Sequence, residues 1–184
     1  MSDDLPDNCQ RIEVQVANLQ QLFNSLDPTP FRTRDLDPEA EAFIAGWARE
    51  LDAGRPIGLV VHVDEEAPSA DQIRTLNGAV RDYFAERASR TRQRLRQLLR
   101  VGRTSLIIGL LFLAASIFVG DMIASLLSGT RFAGVLRESL MIGGWVAMWR
   151  PLEIFLYDWW PIRAEARLMD RLSAMTVRVV PSRS

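Results

Sequence analysis

Four ionisable side chains in the apolar second half of the chain have the types and spacing that could do chemistry. They are Asp121, Arg150, Glu153 and Asp158. Charged groups are costly to bury in a membrane, so where they occur they usually pair or mark ion and proton paths. Arg150 and Glu153 are three residues apart, which allows an ion pair on one helix face. We therefore treat all four as candidate polar contacts within a membrane or at an interface, and Asp121 also fits a residue at the membrane surface.

Residues that usually carry catalysis or hold metals are scarce in this sequence. The one histidine, His62, lies in a predicted strand, where a structural role is the simpler interpretation, and the one cysteine is Cys9. The sequence contains no metal-ligand spacing, phosphate-binding glycine loop or nucleophile elbow. We therefore expect no catalytic, cofactor-binding or metal-ligating residue and favour a protein that is not an enzyme.

An uncharged run of 17 residues, 104–120, predicts a first transmembrane helix over 104–127. At about 1.5 Å per residue this helix covers a hydrocarbon core of about 30 Å. The 17 residues before the run contain seven arginines: Arg87, Arg90, Arg92, Arg94, Arg96, Arg100 and Arg103. Since arginine-rich flanks stay on the cytoplasmic side, this end of the helix is expected to face the cytoplasm.

A second transmembrane helix is predicted over residues 139–160. Its uncharged part, 139–149, is too short to cross a bilayer alone, and extending it takes in Arg150 and Glu153. An interfacial or re-entrant helix is the alternative. The connection, 128–138, is predicted to be a short external loop with few arginines, so both termini are expected in the cytoplasm.

The segments around the apolar half predict a small α/β domain. Residues 1–74 carry 15 acids and 6 arginines, a net charge of −9, whereas 75–103 carry 8 arginines and 2 acids, a net +6. Alternating strand patterns at 11–16 and 57–63 flank a helix that begins after Asp37, which makes a βαβ unit with parallel strands. That helix carries an apolar stripe expected to face the core: Phe43, Ile44, Trp47, Ala48 and Leu51. Residues 176–180 supply a candidate third strand.

Together these patterns predict an α+β membrane protein, a two-helix transmembrane hairpin with a small cytoplasmic α/β domain. The acidic domain covers 1–70, and an arginine-rich connecting helix covers 71–103. A cytoplasmic amphipathic helix and the C-terminal strand cover 161–184. A capping box formed by Ser69 and Gln72 is expected to open the connecting helix.

Two strings carry a resemblance to known sequences. Trp-Arg-Pro-Leu-Glu-Ile-Phe-Leu-Tyr-Asp-Trp-Trp-Pro occupies 149–161, and Leu-Phe-Asn-Ser-Leu-Asp-Pro-Thr-Pro-Phe occupies 22–31. The chain resembles a family of small bacterial two-span membrane proteins of unknown function. The resemblance implies this architecture and carries no activity. Asp158 and Pro161 also predict a helix break, so the first string is either a membrane-exit anchor or a buried polar contact with the helix of Asp121 or a second subunit.

Three functions from different classes fit these patterns. The first is a non-enzymatic interaction or scaffold protein of the bacterial inner membrane, multi-pass, whose partners are the lipid bilayer and either a protein or a second copy. The second is a small subunit of an oligomeric transporter or channel that uses Asp121, Arg150 and Glu153. The third is an enzyme acting at the bilayer face. Nucleic acid is not expected as a partner, because the positive-inside rule already explains the arginines.

Overall fold

The computed structural model describes residues 8–23, 35–64, 68–126 and 131–182. The chain divides into two compact units: unit 1 comprises Met1–Thr91 and Ala164–Ser184, and unit 2 comprises Arg92–Arg163. Most of the described chain is helical, and the sheet is small. The strands are β1 (Gln10–Val16), β2 (Ile57–Val63) and β3 (Thr176–Pro181), and the α-helices are α1 (Pro38–Glu50), α2 (Ala70–Leu126), α3 (Arg131–Glu153) and α4 (Trp159–Ser173).

Unit 1 contains a three-stranded parallel sheet in the order β1-β2-β3. Ile12 is paired with Leu59, and Leu59 with Val177, which fixes the register on both sides of β2. The central strand β2 is buried at six of its seven positions, as its apolar sequence requires. The structure confirms the parallel pairing of the first two strands and the third strand contributed by the C-terminal segment.

Side chains satisfy the free backbone groups at the ends and edges of these elements. Asp37 accepts hydrogen bonds from the backbone N–H groups of Glu39 and Ala40, at the start of α1. The Ser69 hydroxyl and the Gln72 amide oxygen accept from each other's backbone N–H groups, at 3.3 and 2.8 Å, so the predicted capping box is present.

The core of unit 1 lies between the sheet and the helices α1, α2 and α4. Leu59 and Val61 of β2, Phe84 of α2 and Leu172 of α4 are fully buried in it. One part of the predicted stripe on α1 is wrong, because Phe43 and Trp47 are 46% and 51% exposed. The reason is helical geometry: Ile44 and Ala48, one turn apart, already fill the face that meets the core, and the neighbouring pair is rotated by about 100° towards solvent.

The helix α2 contains the uncharged run that the sequence assigned to a membrane span. Among the described residues, it is the one helix that is long and apolar enough to cross a membrane by length and composition. Only 17% of its most apolar window is buried within the structure, which is unlike the core helix of a soluble protein. The two-span hairpin is not confirmed on the same criterion, since Arg137, Glu138 and Arg150 reduce the mean hydropathy of α3.

Two predicted boundaries in the second half of the chain differ from the structure. The helix α3 begins at Arg131, inside the segment predicted as the loop 128–138. The predicted break near Asp158 does not occur, because a π-helical turn, Ile154–Asp158, joins α3 to α4. Pro161 is the third residue of α4, and because the helical path is continuous from α3, it has no N–H to donate to a carbonyl of the π-helical turn. The indole N–H of Trp159 donates to the carbonyl of Phe155 at 2.8 Å and satisfies one acceptor of this turn.

Candidate functional site

The helices α2 and α3 of unit 2 pack against each other in antiparallel orientation along small residues. A Cβ atom added to Gly144 would lie 2.6 Å from Leu113 Cδ1, and one added to Gly120 would lie 3.2 Å from Arg137 Cγ. Near the other end of the contact, a Cβ atom on Gly102 would lie 2.8 Å from Ile154 Cγ2. Residue numbers at the contact therefore decrease along α2 as they increase along α3. Glycine permits the close approach because it has no Cβ atom. We call this contact the glycine seam.

Three of the four predicted site residues meet at the end of α3. Arg150 Nη1 lies 2.8 Å from Glu153 Oε2 and 3.3 Å from Asp158 Oδ2. The Arg150–Glu153 pair has the spacing predicted for one helix face. Asp158 joins it from the π-helical turn, where i→i+5 bonding changes the direction of the side chains relative to an α-helix. Arg150, Glu153 and Asp158 form what we call the π-turn cluster.

Asp121 belongs to a different contact. Its Oδ1 atom accepts a hydrogen bond from Arg137 Nε at 2.9 Å, which joins α2 to α3. Arg137 and Arg150 are 13 residues apart on α3, a distance of about 20 Å along the helix axis. Within one chain, the structure therefore does not bring Asp121 to the other three residues. Sequence reasoning did not identify Arg137 as the partner of Asp121.

Two cavities flank the π-helical turn. The larger one, about 600 Å³, has Arg94 and Gln97 of α2 in its wall together with Tyr157 and Asp158. The smaller one, about 400 Å³, is lined by three arginines of α2 and two apolar residues: Arg96, Leu99, Arg100, Arg103 and Phe155. The smaller cavity therefore has a basic wall, which favours anionic ligands, whereas the larger cavity has one arginine and one carboxylate in its wall.

Among the described residues, the π-turn cluster is a set of ion pairs with neither a thiol nor an imidazole beside them. The π-turn cluster consists of one guanidinium and two carboxylates, so its formal net charge is −1. In the ranges that the structure describes, no group of three or more His, Cys, Asp or Glu side chains could hold a metal ion. His62 lies on β2, where its Nε2 atom is 3.6 Å from Glu13 Oε2 on the neighbouring strand.

A partly buried polar network in unit 1 joins α1 to α2. The Tyr83 hydroxyl donates to Glu41 Oε2 at 2.6 Å, and Arg87 Nε donates to Glu41 Oε1 at 2.9 Å. Burial raises the pKa of Tyr83 well above its ordinary value, and the hydrogen bond to the Glu41 carboxylate raises it further. The phenol therefore stays a proton donor, and the network holds the two helices together.

Unit 1 also exposes an aromatic pair that the sequence had assigned to the core. The rings of Phe43 and Trp47 lie 6.2 Å apart at an interplanar angle of 55°. Exposed aromatic side chains are enriched where proteins bind partners. The α1 aromatic patch, Phe43 and Trp47, is therefore a candidate binding surface. The signal was present in the sequence, since the five-residue stripe is wider than the face that one packed helix can bury.

Comparisons with known proteins give no match: no family model, curated protein or solved structure is similar to this chain. The resemblance to small bacterial two-span membrane proteins therefore stays a prediction. Of its two strings, 149–161 forms the end of α3, the π-helical turn and the start of α4. In the other string, residues 24–31 lie outside the described residues.

Proposed function

We propose that this chain is a non-enzymatic interaction or scaffold protein anchored in the bacterial inner membrane by a hairpin of α2 and α3. The observation that carries the proposal is the outer surface of unit 2. Both helices meet through small residues at the glycine seam and expose large apolar side chains elsewhere, among them Ile108, Phe118, Ile142 and Trp145. Exposed apolar area costs roughly 25 cal/mol per Å² in water, and lipid removes that cost.

The register of the glycine seam supports a second span formed by α3. A Cβ atom on Gly109 would lie 3.0 Å from the sulfur of Met148, so Arg150 is about level with Ile107. That level is about 5 Å deeper along the proposed membrane span than Thr104, the first residue of the uncharged run. An arginine at this depth can extend its guanidinium to the membrane surface. The Asp121–Arg137 pair lies at the other end of the run, so both ionic contacts are near the membrane boundaries.

The sheet of unit 1 supports an even number of membrane crossings. Its strand β2 pairs with β1 from the N-terminal segment and with β3 from the C-terminal segment. Both segments must then lie on the same side of the membrane. If α2 crosses the bilayer, α3 has to return, and the arginines that precede the uncharged run within α2 favour the cytoplasm for unit 1.

Reporter fusions test this topology. Alkaline phosphatase, which is active only outside the cytoplasm, is fused after Gly134 in one variant and after the last residue in another. The first fusion should be active and the second inactive, with the opposite pattern for a fluorescent protein that folds only in the cytoplasm. Two inactive phosphatase fusions would rule out the hairpin.

The interaction role is supported by the α1 aromatic patch. A photo-crosslinking amino acid at Trp47 should capture a specific protein or a second copy in living cells. The matched control is the same amino acid at Arg49, which is also exposed but points to another side of α1. Capture at position 47 should exceed capture at 49, and Phe43→Ala should reduce it. Equal capture at both positions, unaffected by Phe43→Ala, would refute this role of the patch.

A small subunit of an oligomeric transporter or channel is the second candidate function. Arg150 is favoured for this role because its side chain is 61% exposed beside Glu153, on a surface with large apolar side chains that a second subunit could cover. Two helices that meet at a glycine seam enclose no path by themselves. A monomer in mild detergent and in lipid would therefore exclude this function and leave the scaffold proposal intact.

A further inference from the structure

The smaller cavity of unit 2 has a basic wall and an apolar wall. Arg96, Arg100 and Arg103 follow one another at intervals of four and three residues, so their side chains share one face of α2. Phe155, from the π-helical turn, closes the cavity, and Leu99 adds to its apolar side. Its volume of about 400 Å³ falls in the range of about 300–1,000 Å³ that is usual for ligand sites.

The arginines of this cavity carry positive charge that no carboxylate in the described part of the chain pairs with. Among the described residues, no carboxylate forms an ion pair with Arg96, Arg100 or Arg103. The nearby carboxylates of the π-turn cluster are paired with Arg150. Arginine keeps its charge at any physiological pH and binds phosphate through two parallel N–H donors. Three arginines in the wall of the cavity are thus available to an anion from outside the chain.

The position of the cavity along α2 indicates the kind of anion. Arg103 immediately precedes the uncharged run 104–120, and Phe155 lies beside Gly102 at the same level. A ligand in the cavity therefore has guanidinium groups on one side and continues onto apolar helix surface on the other. A free phosphate ion would use only the first side, whereas a phospholipid uses both.

We infer that Arg96, Arg100, Arg103 and Phe155 form a binding site for the phosphate headgroup of an anionic phospholipid. The inference rests on the proposed membrane insertion. The three arginines bind the phosphate oxygens, and the acyl chains run along the apolar surface of α2 and α3. The site gives unit 2 a preference for anionic over zwitterionic lipid beyond that of a diffuse basic flank.

The test uses the full chain in mild detergent, with lipid adducts counted by native mass spectrometry. Phosphatidylglycerol and phosphatidylcholine of equal chain length are titrated against the wild type and the variant Arg96→Gln/Arg100→Gln/Arg103→Gln. The matched control, Arg74→Gln/Arg81→Gln/Arg90→Gln, removes the same charge from an exposed part of α2 in unit 1. Each arginine near an anionic surface contributes roughly a factor of five, so the first variant should lose about 100-fold in phosphatidylglycerol affinity and the control little.

Two results would overturn the site. An equal loss of affinity in both triple variants would mean that binding follows total charge and not this cavity. Full displacement of phosphatidylglycerol by inorganic phosphate, at the affinity of phosphate for the lipid-free protein, would assign the cavity to a soluble anion. Failure of the membrane proposal can be distinguished from failure of the lipid site. In that case a label at Ile108 would be exposed to water, whatever the lipid-binding result.

Discussion

The two adjacent glycines of α3 should respond in opposite directions to the same substitution. A Cβ atom on Gly144 would lie 2.6 Å from Leu113 Cδ1 and 3.3 Å from Leu113 Cα, whereas one on Gly143 would have no neighbour within 4 Å. The Leu113 side chain can move aside, but its backbone cannot. Gly144→Leu must therefore separate α2 from α3, and overpacking of this kind costs about 1–3 kcal/mol. Gly143→Leu instead gains up to about 1 kcal/mol of helix propensity.

Gly144→Leu gains the same helix propensity, so the difference between the two variants is the overpacking cost, about 1–3 kcal/mol in the free energy of unfolding. Titration of the purified proteins from mild detergent into dodecyl sulfate, followed by tryptophan fluorescence, measures it. Both variants add the same apolar side chain to the same helix turn, so effects of hydrophobicity and detergent binding cancel. If Gly144→Leu were as stable as Gly143→Leu, α2 and α3 would not meet at the glycine seam.

Three further predictions follow from individual contacts. Arg150→Met should lower the free energy of unfolding in detergent, because Glu153 and Asp158 lose their counter-ion; the variant that also carries Glu153→Met and Asp158→Asn should recover most of this loss. Asn77→Ala should destabilise unit 1 by about 1–2 kcal/mol in thermal unfolding. The Val177 N–H donates to Asn77 Oδ1 at 3.0 Å, and the substitution removes this acceptor. Gln72→Ala, at the exposed start of the same helix, should cost less. In a Tyr157→Phe background Tyr83 is the only tyrosine, and because its folded-state pKa is raised above about 10, its tyrosinate absorbance should appear only above that pH. The hydrogen bond from the neutral Tyr83 phenol to Glu41 therefore contributes fully to stability below about pH 10, and this contribution is lost as the pH rises further. Glu41→Gln should shift the titration of Tyr83 to lower pH.

The features that the sequence predicted are those set by short-range spacing. Ser69 and Gln72 form a capping box because the two residues are one helical turn apart, and Arg150 pairs with Glu153 for the same reason. The parallel sheet followed from alternating apolar positions and from the βαβ order. Such patterns predict the structure well because the paired residues are close in sequence or the apolar periodicity is strong.

The features that the sequence did not predict depend on how distant segments meet. The Asp121–Arg137 pair joins two helices at a sequence separation of 16 residues, and no spacing rule connects these residues. The exposure of Phe43 and Trp47 depends on which turn of α1 the sheet and α2 cover. The glycine seam had a signal in the seven-residue spacing of Gly102, Gly109 and Ser116, all buried in the structure. That spacing is the period of a packed helix pair, and it also explains why the adjacent Gly143 and Gly144 are not equivalent.

The membrane hairpin is tested most directly by the environment of α3, whose charges keep it below the hydropathy of a typical span. Spin labels are attached at single cysteines in a Cys9→Ser background, one at Ile108 on α2, one at Ile142 on α3 and one at Arg49 as a water-exposed reference. In reconstituted bilayers, labels at 108 and 142 should both collide with dissolved oxygen and be protected from a water-soluble nickel reagent, whereas the label at 49 should show the reverse. A label at 142 that reacts to nickel as strongly as the label at 49 would contradict the two-span account.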